Sequence, residues 1–137
     1  IRQVERLAQN MFICAPHASQ IAAIGALNST HELEENLRVY RNNRELMIKG
    51  LFDAGFIEIA PPDGAFYIYA DISKFSNDSL SFSKKMLKEA GVAITPGLDF
   101  DVKRGHTKVR FSYARSTLEI TEGLRRIDQF MKTLGKR

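Results

Sequence analysis

The residue best suited to bind a ligand is Arg110, which lies within residues 108–114. Polar and apolar residues alternate along this segment, and this pattern predicts a short β-strand. The predicted apolar face carries Val109, Phe111 and Tyr113. Arg110 then projects from the opposite face, where a strand would hold its guanidinium rigidly enough to bind a carboxylate through two parallel hydrogen bonds. If that face lines a pocket, Arg110 anchors a small acid; if it faces water, Arg110 is an ordinary strand arginine.

The sequence lacks the motifs of several other kinds of catalytic site. It contains no glycine-rich phosphate-binding loop and no serine nucleophile elbow. Its three histidines, His17, His31 and His106, are far apart and do not have the spacing of metal ligands. The single cysteine, Cys14, excludes an internal disulfide, and we expect it to be a small buried apolar group. The chain therefore offers a carboxylate anchor without a catalytic apparatus of its own.

Composition predicts one globular domain that binds neither nucleic acid nor membranes. The 137 residues suffice for one hydrophobic core, and 44% of them are hydrophobic. No apolar run approaches the roughly 20 residues of a membrane span, and no signal-peptide pattern is present, so we expect a cytoplasmic location. The net charge of +4 comes from scattered basic residues rather than a focused basic surface. Because the chain begins with an apolar helical pattern and no Met, we expect it to be part of a longer protein.

The elements that must position Arg110 are predicted to be helices around a small sheet. Apolar residues recur at helical spacing in several segments, and capping residues mark the ends of these segments. The predicted helices cover residues 1–12, 17 to about 27, 30 to about 55, 78 to about 90, and 116 onwards. Asn77 or Asp78 can cap the fourth helix, which Gly91 ends. Ser116 and Glu119 form a capping-box pattern at the start of the last helix.

Three short segments besides 108–114 are predicted to be extended. Residues 56–59 and 65–69 are rich in β-forming residues and flank Asp63-Gly64, a pattern that predicts a hairpin or a tight strand connection. Residues 92–94 predict another short strand. The predicted fold class is α/β, as an α+β two-layer arrangement in which helices cover one face of a small, mostly antiparallel sheet.

Three segments in this order resemble a known enzyme family. The first is 41–56, RNNRELMIKGLFDAGF, and the second is 61–69, PPDGAFYIY. The third combines 91–97, GVAITPG, with Phe100 and with VRFSYA at 109–114. Together they resemble the C-terminal part of the class I/II aminotransferases, which are pyridoxal-phosphate enzymes of fold type I. Order and spacing agree from about residue 1 to the end, and the third segment is the most specific.

The resemblance implies a domain assignment and roles for four residues. Residues 1–28 would be a helical segment from the junction with the large domain, and 29–137 would be the small domain. Arg110 matches the family's arginine that binds the α-carboxylate of an amino-acid or 2-oxo-acid substrate. Gly64, Ala65 and Phe66 match the turn that approaches the substrate side chain. The parent would be a homodimeric enzyme that exchanges an amino group between an amino acid and a 2-oxo acid.

The resemblance also indicates which residues are missing. In the family a lysine binds the cofactor as a Schiff base, within a Ser-x-Ser-Lys segment followed closely by Gly and Arg. The similar tetrapeptide that ends at Lys84 is not followed in this way, because Gly91 comes too late and no arginine follows shortly after it. We therefore reject Lys84 as the Schiff-base lysine, and we assign no catalytic, cofactor-binding or metal-binding residue. The isolated chain is expected to be inactive, with its pyridoxal 5'-phosphate held elsewhere in the parent.

Two alternatives remain compatible with these residues. One is an aminotransferase-like effector-binding or dimerisation domain of a transcription regulator. The other is a pyridoxal-phosphate lyase or synthase of the same fold, because the missing domain largely decides the reaction type. The sequence upstream of Ile1 would distinguish them, since a Schiff-base lysine segment indicates an enzyme and a helix-turn-helix head indicates a regulator.

Overall fold

The structure, a computed structural model, describes residues 1–135, which form two compact units. The first unit is Ile1–Asn36, and the second begins at Leu37. Helix α1 (Arg2–Met11) and helix α2 (His17–Asn28) lie in the first unit. Both confirm the helices expected from the apolar spacing. None of the described helices is both long and apolar enough to cross a membrane.

The first unit buries almost nothing by itself. Neither α1 nor α2 contains a buried residue, and every buried apolar residue of the described chain lies at or beyond Met47. Cys14, in the connection between the two helices, is exposed. The expectation of a buried cysteine was therefore wrong, because the unit around it has no core that could cover the thiol.

The second unit contains a small sheet and most of the remaining helices. In chain order it comprises helix α3 (Thr30–Asp53, which begins in the first unit), β1 (Tyr67–Asp71), α4 (Ser79–Ala90), β2 (Thr95–Pro96), β3 (Lys108–Ser112) and α5 (Thr117–Leu134). The strand order is β1-β3-β2, and both pairings are antiparallel. The expected small antiparallel sheet is confirmed.

The helices of the second unit cover one face of this sheet. That face contributes Ile68, Ala70, Val109 and Phe111 to the core, and all four are buried. Buried residues of three helices belong to the same cluster, namely Met47 and Leu51 of α3, Phe82 and Met86 of α4, and Ile120, Ile127, Phe130 and Met131 of α5. Burying this apolar cluster is the main driving force for the fold. The opposite sheet face carries the polar and aromatic residues of the same strands.

Capping chemistry predicted from the sequence is confirmed at two helices. The Asp78 carboxylate accepts from the Ser81 backbone N–H at 3.0 Å, and α4 ends at Gly91 with φ +66°. Ser116 and Glu119 form both hydrogen bonds of the capping box at the start of α5. These caps set where each helix begins and ends.

The predicted hairpin around Asp63-Gly64 is only partly formed. Residues 56–59 make a single bridge, Ile59 to Ala70, instead of a strand. Pro61 and Pro62 have no N–H to donate, so the ladder cannot extend in that direction. The strand on the other side begins at Tyr67 and not at residue 65, since Ala65 has φ +59°, which no strand residue adopts.

The strand predicted at 92–94 was wrong in position. Those residues form an irregular connection after Gly91, and the strand consists of Thr95 and Pro96 alone. Pro96 has no N–H for a further ladder bond, which fits a very short strand at the edge of the sheet. The shift places Thr95 directly opposite Arg110.

Candidate substrate-binding site

Arg110 lies at the centre of the sheet face that the helices leave uncovered. Its strand, β3, is the middle strand, and Arg110 pairs with Tyr69 of β1 on one side and Thr95 of β2 on the other. Val109 and Phe111 are buried, whereas Arg110 is half-buried. The alternation predicted for this strand is confirmed. Side chains of directly paired residues share a face, so Arg110 is surrounded by Tyr69, Thr95 and their neighbours.

Two aromatic rings hold the Arg110 guanidinium. Its Cζ atom lies 4.6 Å from the centroid of the Phe100 ring and 5.2 Å from the centroid of the Tyr67 ring. Both distances are within the range of an attractive cation–π contact. Phe100 in turn packs edge-to-face on Tyr69, with 6.4 Å between ring centroids. The guanidinium is thus positioned by β1 and by the connection that follows β2.

The hydrogen-bonding capacity of Arg110 is mostly unused within the described chain. Its Nη2 donates to Thr95 Oγ1 over a long 3.4 Å, and its buried Nε has no partner. No described carboxylate forms an ion pair with it. Burying part of a charged donor without an acceptor costs free energy. The arrangement is therefore suited to an anionic ligand that supplies the missing acceptors.

Two carboxylates on this side of the sheet are already bound to other cations. The Lys108 ammonium donates to Asp71, and the Arg104 Nε donates to Asp101 at 2.9 Å. Burial raises the pKa of Asp71, but hydrogen bonds from Lys108 and Ser73 outweigh it, so its pKa lies below the ordinary value. The pKa of Asp101 is lowered chiefly by the Arg104 backbone N–H. Both groups remain ionised and engaged, which leaves Arg110 available.

The tyrosine beside Arg110 stays neutral at physiological pH. Burial raises the pKa of the Tyr69 hydroxyl, and the negative charge of Asp101 raises it further. A neutral phenol adds no negative charge that would compete with an anionic ligand for the guanidinium. The electrostatic balance around Arg110 therefore favours an incoming carboxylate.

The turn 64–66 is connected to Arg110 through aromatic packing. Phe66 contacts Tyr67 edge-to-face at 5.9 Å between centroids, and Tyr67 contacts the guanidinium. Ala65 is fixed by its carbonyl, which accepts from the Tyr113 hydroxyl at 3.1 Å. Gly64 and Ala65 line a separate cleft of about 300 Å³ beside Arg44. Phe66 is thus linked to Arg110 through the Tyr67 ring, whereas Gly64 and Ala65 line the cleft beside Arg44.

Sequence reasoning missed several residues of this site. Tyr67, Tyr69 and Thr95 were not proposed, and Phe100 was noted only as part of a motif. The tyrosines had a usable signal, because Tyr67 and Tyr69 alternate with the buried Ile68 and Ala70 and must share a face. Thr95 had none, since its role depends on a two-residue strand at a position the sequence did not predict.

Two lysines bear on the cofactor question that the sequence raised, Lys108 and Lys84. Lys108, which shares its sheet face, is paired with Asp71. Lys84 is exposed on α4, whose buried residues pack against the other face of the sheet. No group of histidine, cysteine and acidic residues suited to a metal ion occurs within residues 1–135. Around Arg110 the described residues provide a guanidinium between two aromatic rings, with its Nε unpartnered.

Known proteins resemble this chain along most of its length. Residues 1–127 match the family model for aminotransferase class I and II. Valine–pyruvate aminotransferase of Mycobacterium tuberculosis is 48% identical over 132 residues, which are 95% of this chain and 34% of that protein. The (5-formylfuran-3-yl)methyl phosphate transaminase of Methanocaldococcus jannaschii is 40% identical over 133 residues, 96% of this chain and 35% of that protein.

A solved structure agrees with this result. The crystal structure of a putative aminotransferase from Silicibacter pomeroyi has 60% identity and a TM-score of 0.89, covering 96% of this chain and 36% of that one. The chain therefore spans about a third of the length of the relatives it matches. Since the family model extends over nearly the whole sequence, the chain belongs to the class I and II aminotransferases.

Proposed function

We propose that this chain is the C-terminal part of a pyridoxal-phosphate-dependent aminotransferase, in which Arg110 binds the α-carboxylate of an amino acid or a 2-oxo acid. In this proposal residues 1–28 come from the junction with the large domain and 29–137 form the small domain. The observation that carries the proposal is the half-buried Arg110 guanidinium, which two rings hold and no described carboxylate neutralises. The parent is proposed to act as a homodimer.

Arg110 serves the reaction by binding and orienting the substrate. A carboxylate that accepts two parallel hydrogen bonds from one guanidinium is fixed in distance and in plane. The Cα atom next to that carboxylate, and the amino or keto group on it, then point away from the sheet in a defined direction. Such orientation lowers the entropic part of the barrier for the chemical step.

The turn 64–66 is proposed to contact the substrate side chain. Phe66 is about half exposed and lies in the same row of aromatic contacts as Arg110. A substrate anchored at the guanidinium would meet the Phe66 ring next along this row. Gly64 and Ala65 would shape the turn, with Ala65 held by Tyr113.

Pyridoxal phosphate, when bound in the parent, supplies the electron sink for moving the amino group. In this proposal the cofactor is held by parts of the parent outside this chain. Arg110 needs only to hold the substrate in place beside it.

The test is the Arg110→Lys variant of the full-length holoenzyme. Lysine keeps the charge but cannot make the two-pronged contact. A hydrogen bond to a charged group contributes about 1.5–3 kcal/mol, so kcat/KM for amino acid and 2-oxo acid should fall roughly ten- to hundredfold. The absorbance of the bound cofactor should be unchanged.

The matched control is Arg125→Lys, the same substitution on an exposed site of α5. It should keep parental kinetics. Normal turnover of simple amino acids by Arg110→Lys would show that the assigned role is wrong. A parent that binds amino acids through Arg110 but transfers no amino group would instead be a regulator, lyase or synthase of the same fold.

A further inference from the structure

One of the two rings that contact the Arg110 guanidinium lies in the connection between β2 and β3. Residues 97–107 link β2 to β3 and contain two 3₁₀ turns, Gly97–Asp99 and Gly105–Thr107. Phe100 is carried by this connection, and its ring is the nearer of the two that contact the guanidinium. We propose that Phe100 is a positioning residue for substrate carboxylate binding, set against Arg110 by a clamp of residues 97–107. The inference rests on the proposed function.

The backbone of the clamp is closed by its own hydrogen bonds. The N–H groups of Phe100 and Asp101 both donate to the Gly97 carbonyl at 2.9 Å, and the Gly105 N–H donates to the Asp101 carbonyl at 2.7 Å. The Asp101 carboxylate also accepts from the N–H groups of Lys103 and Arg104, each at 3.0 Å. Backbone hydrogen bonds therefore restrain the segment both before and after Phe100.

Two glycines let the ends of the clamp meet. A Cβ atom built on Gly105 would lie 2.2 Å from the Gly97 carbonyl oxygen, and one built on Gly97 would lie 2.5 Å from the Gly105 carbonyl oxygen. Both residues are buried. Only glycine permits such close approach of two backbone segments. The contact therefore fixes where the connection turns and, with it, where Phe100 lies.

Phe100 matters because little else restrains the guanidinium. An arginine side chain has many rotamers, and a ligand that must select one of them binds more weakly. The Thr95 hydrogen bond is long at 3.4 Å, and the Tyr67 ring is the more distant of the two. A ring face attracts the cation by its quadrupole, whereas an aliphatic side chain of similar size provides packing alone. Removing the ring should lower the population of the binding-competent Arg110 rotamer.

The experiment compares Phe100→Leu and Phe100→Tyr in the full-length holoenzyme. The leucine variant should raise KM for the amino acid about three- to tenfold, with kcat nearly unchanged, because the contact acts equally before and during the chemical step. The inhibition constant of propionate, used as a carboxylate probe without an amino group, should rise by the same factor. Phe100→Tyr keeps the ring, so its KM and its propionate inhibition constant should equal those of the unsubstituted enzyme. Val102→Ala, at an exposed position of the same connection, is the control.

Three results would overturn the inference. In the first, Phe100→Leu binds propionate as well as the unsubstituted enzyme does, while Arg110→Lys is defective. The ring would then have no role in binding, but the proposed function would stand. In the second, Phe100→Tyr binds propionate as weakly as Phe100→Leu does. An aromatic ring at this position would then not be sufficient, and the side chain of Phe100 would act by packing alone. Parental kinetics in both Arg110→Lys and Phe100→Leu would reject the proposed function itself, and this inference with it.

Discussion

Replacing Gly105 with alanine should disturb the carboxylate site without touching any residue that contacts the ligand. The new Cβ atom would lie 2.2 Å from the Gly97 oxygen, 2.3 Å from the Gly97 carbonyl carbon and 2.6 Å from the Leu98 nitrogen. All three are backbone atoms, so no side chain can rotate to relieve the clash. Ordinary contact begins at 3.4 Å, and the two segments must therefore separate by about an ångström.

The expected cost follows from this overlap. Inserting a carbon atom into a close-packed site costs about 1–3 kcal/mol, and here the strain falls on two 3₁₀ turns. Part of it should be relieved by opening of residues 97–107, which moves Phe100 away from the guanidinium. We therefore expect a lower free energy of unfolding and, independently of it, weaker binding of propionate at temperatures where the protein remains folded.

The assay measures the denaturant midpoint of the full-length protein and the propionate inhibition constant for each variant. Gly123→Ala is the matched control, since a Cβ atom at this position of α5 meets nothing within 4 Å. Alanine in a helix should there raise stability by up to about 1 kcal/mol. A Gly105→Ala protein with the parental midpoint and parental propionate binding would refute the view that the two glycines fix the position of Phe100.

The remaining predictions concern the cofactor and the acid stability of α5. When the 137-residue chain is mixed with pyridoxal phosphate, no specific imine absorbance band should appear. A band that disappears when one lysine is substituted would contradict the assignment of the cofactor to other parts of the parent. Hydrogen bonds from Arg125 and then Arg126 lower the pKa of Glu122 to about 2 from its ordinary 4.5. Because the folded value is the lower one, this carboxylate stabilises the fold above about pH 4.5, and the contribution is lost as pH falls towards 2. Glu122→Gln should therefore weaken the dependence of the denaturant midpoint on pH across that interval, with the parent measured in parallel.

Local patterns in the sequence were enough to predict most of the second unit. The helical spacing, the Asp78 cap and the Ser116 capping box depend on neighbours within one or two turns, and all were confirmed. The alternation around Arg110 was also confirmed, because a strand buried on one face must expose the other. Each of these features is determined by residues that are close together in the chain.

Features that depend on distant residues were harder to predict. The single bridge at Ile59 and the two-residue strand at Thr95 are set by where β1 and β3 run, which no local pattern encodes. The exposure of Cys14 follows from the lack of buried residues in α1 and α2, although both helices have apolar side chains. The contact between Phe100 and Arg110 joins residues ten apart through the Gly97–Gly105 approach, so composition alone could not reveal it.

Strand β3 contributes residues both to the core and to the face that carries Arg110. Side chains alternate along β3, so a slip of one residue would bury Arg110 and expose Val109 and Phe111. Asn43, which is fully buried, binds the segment just after the strand: its Nδ2 donates to the carbonyls of Tyr113 at 3.2 Å and Arg115 at 2.7 Å. Its Oδ1 accepts from Thr117 at the start of α5. The buried Asn43 amide therefore joins α3 to the segment that follows β3 and to the start of α5, and a slipped β3 would have to break these hydrogen bonds.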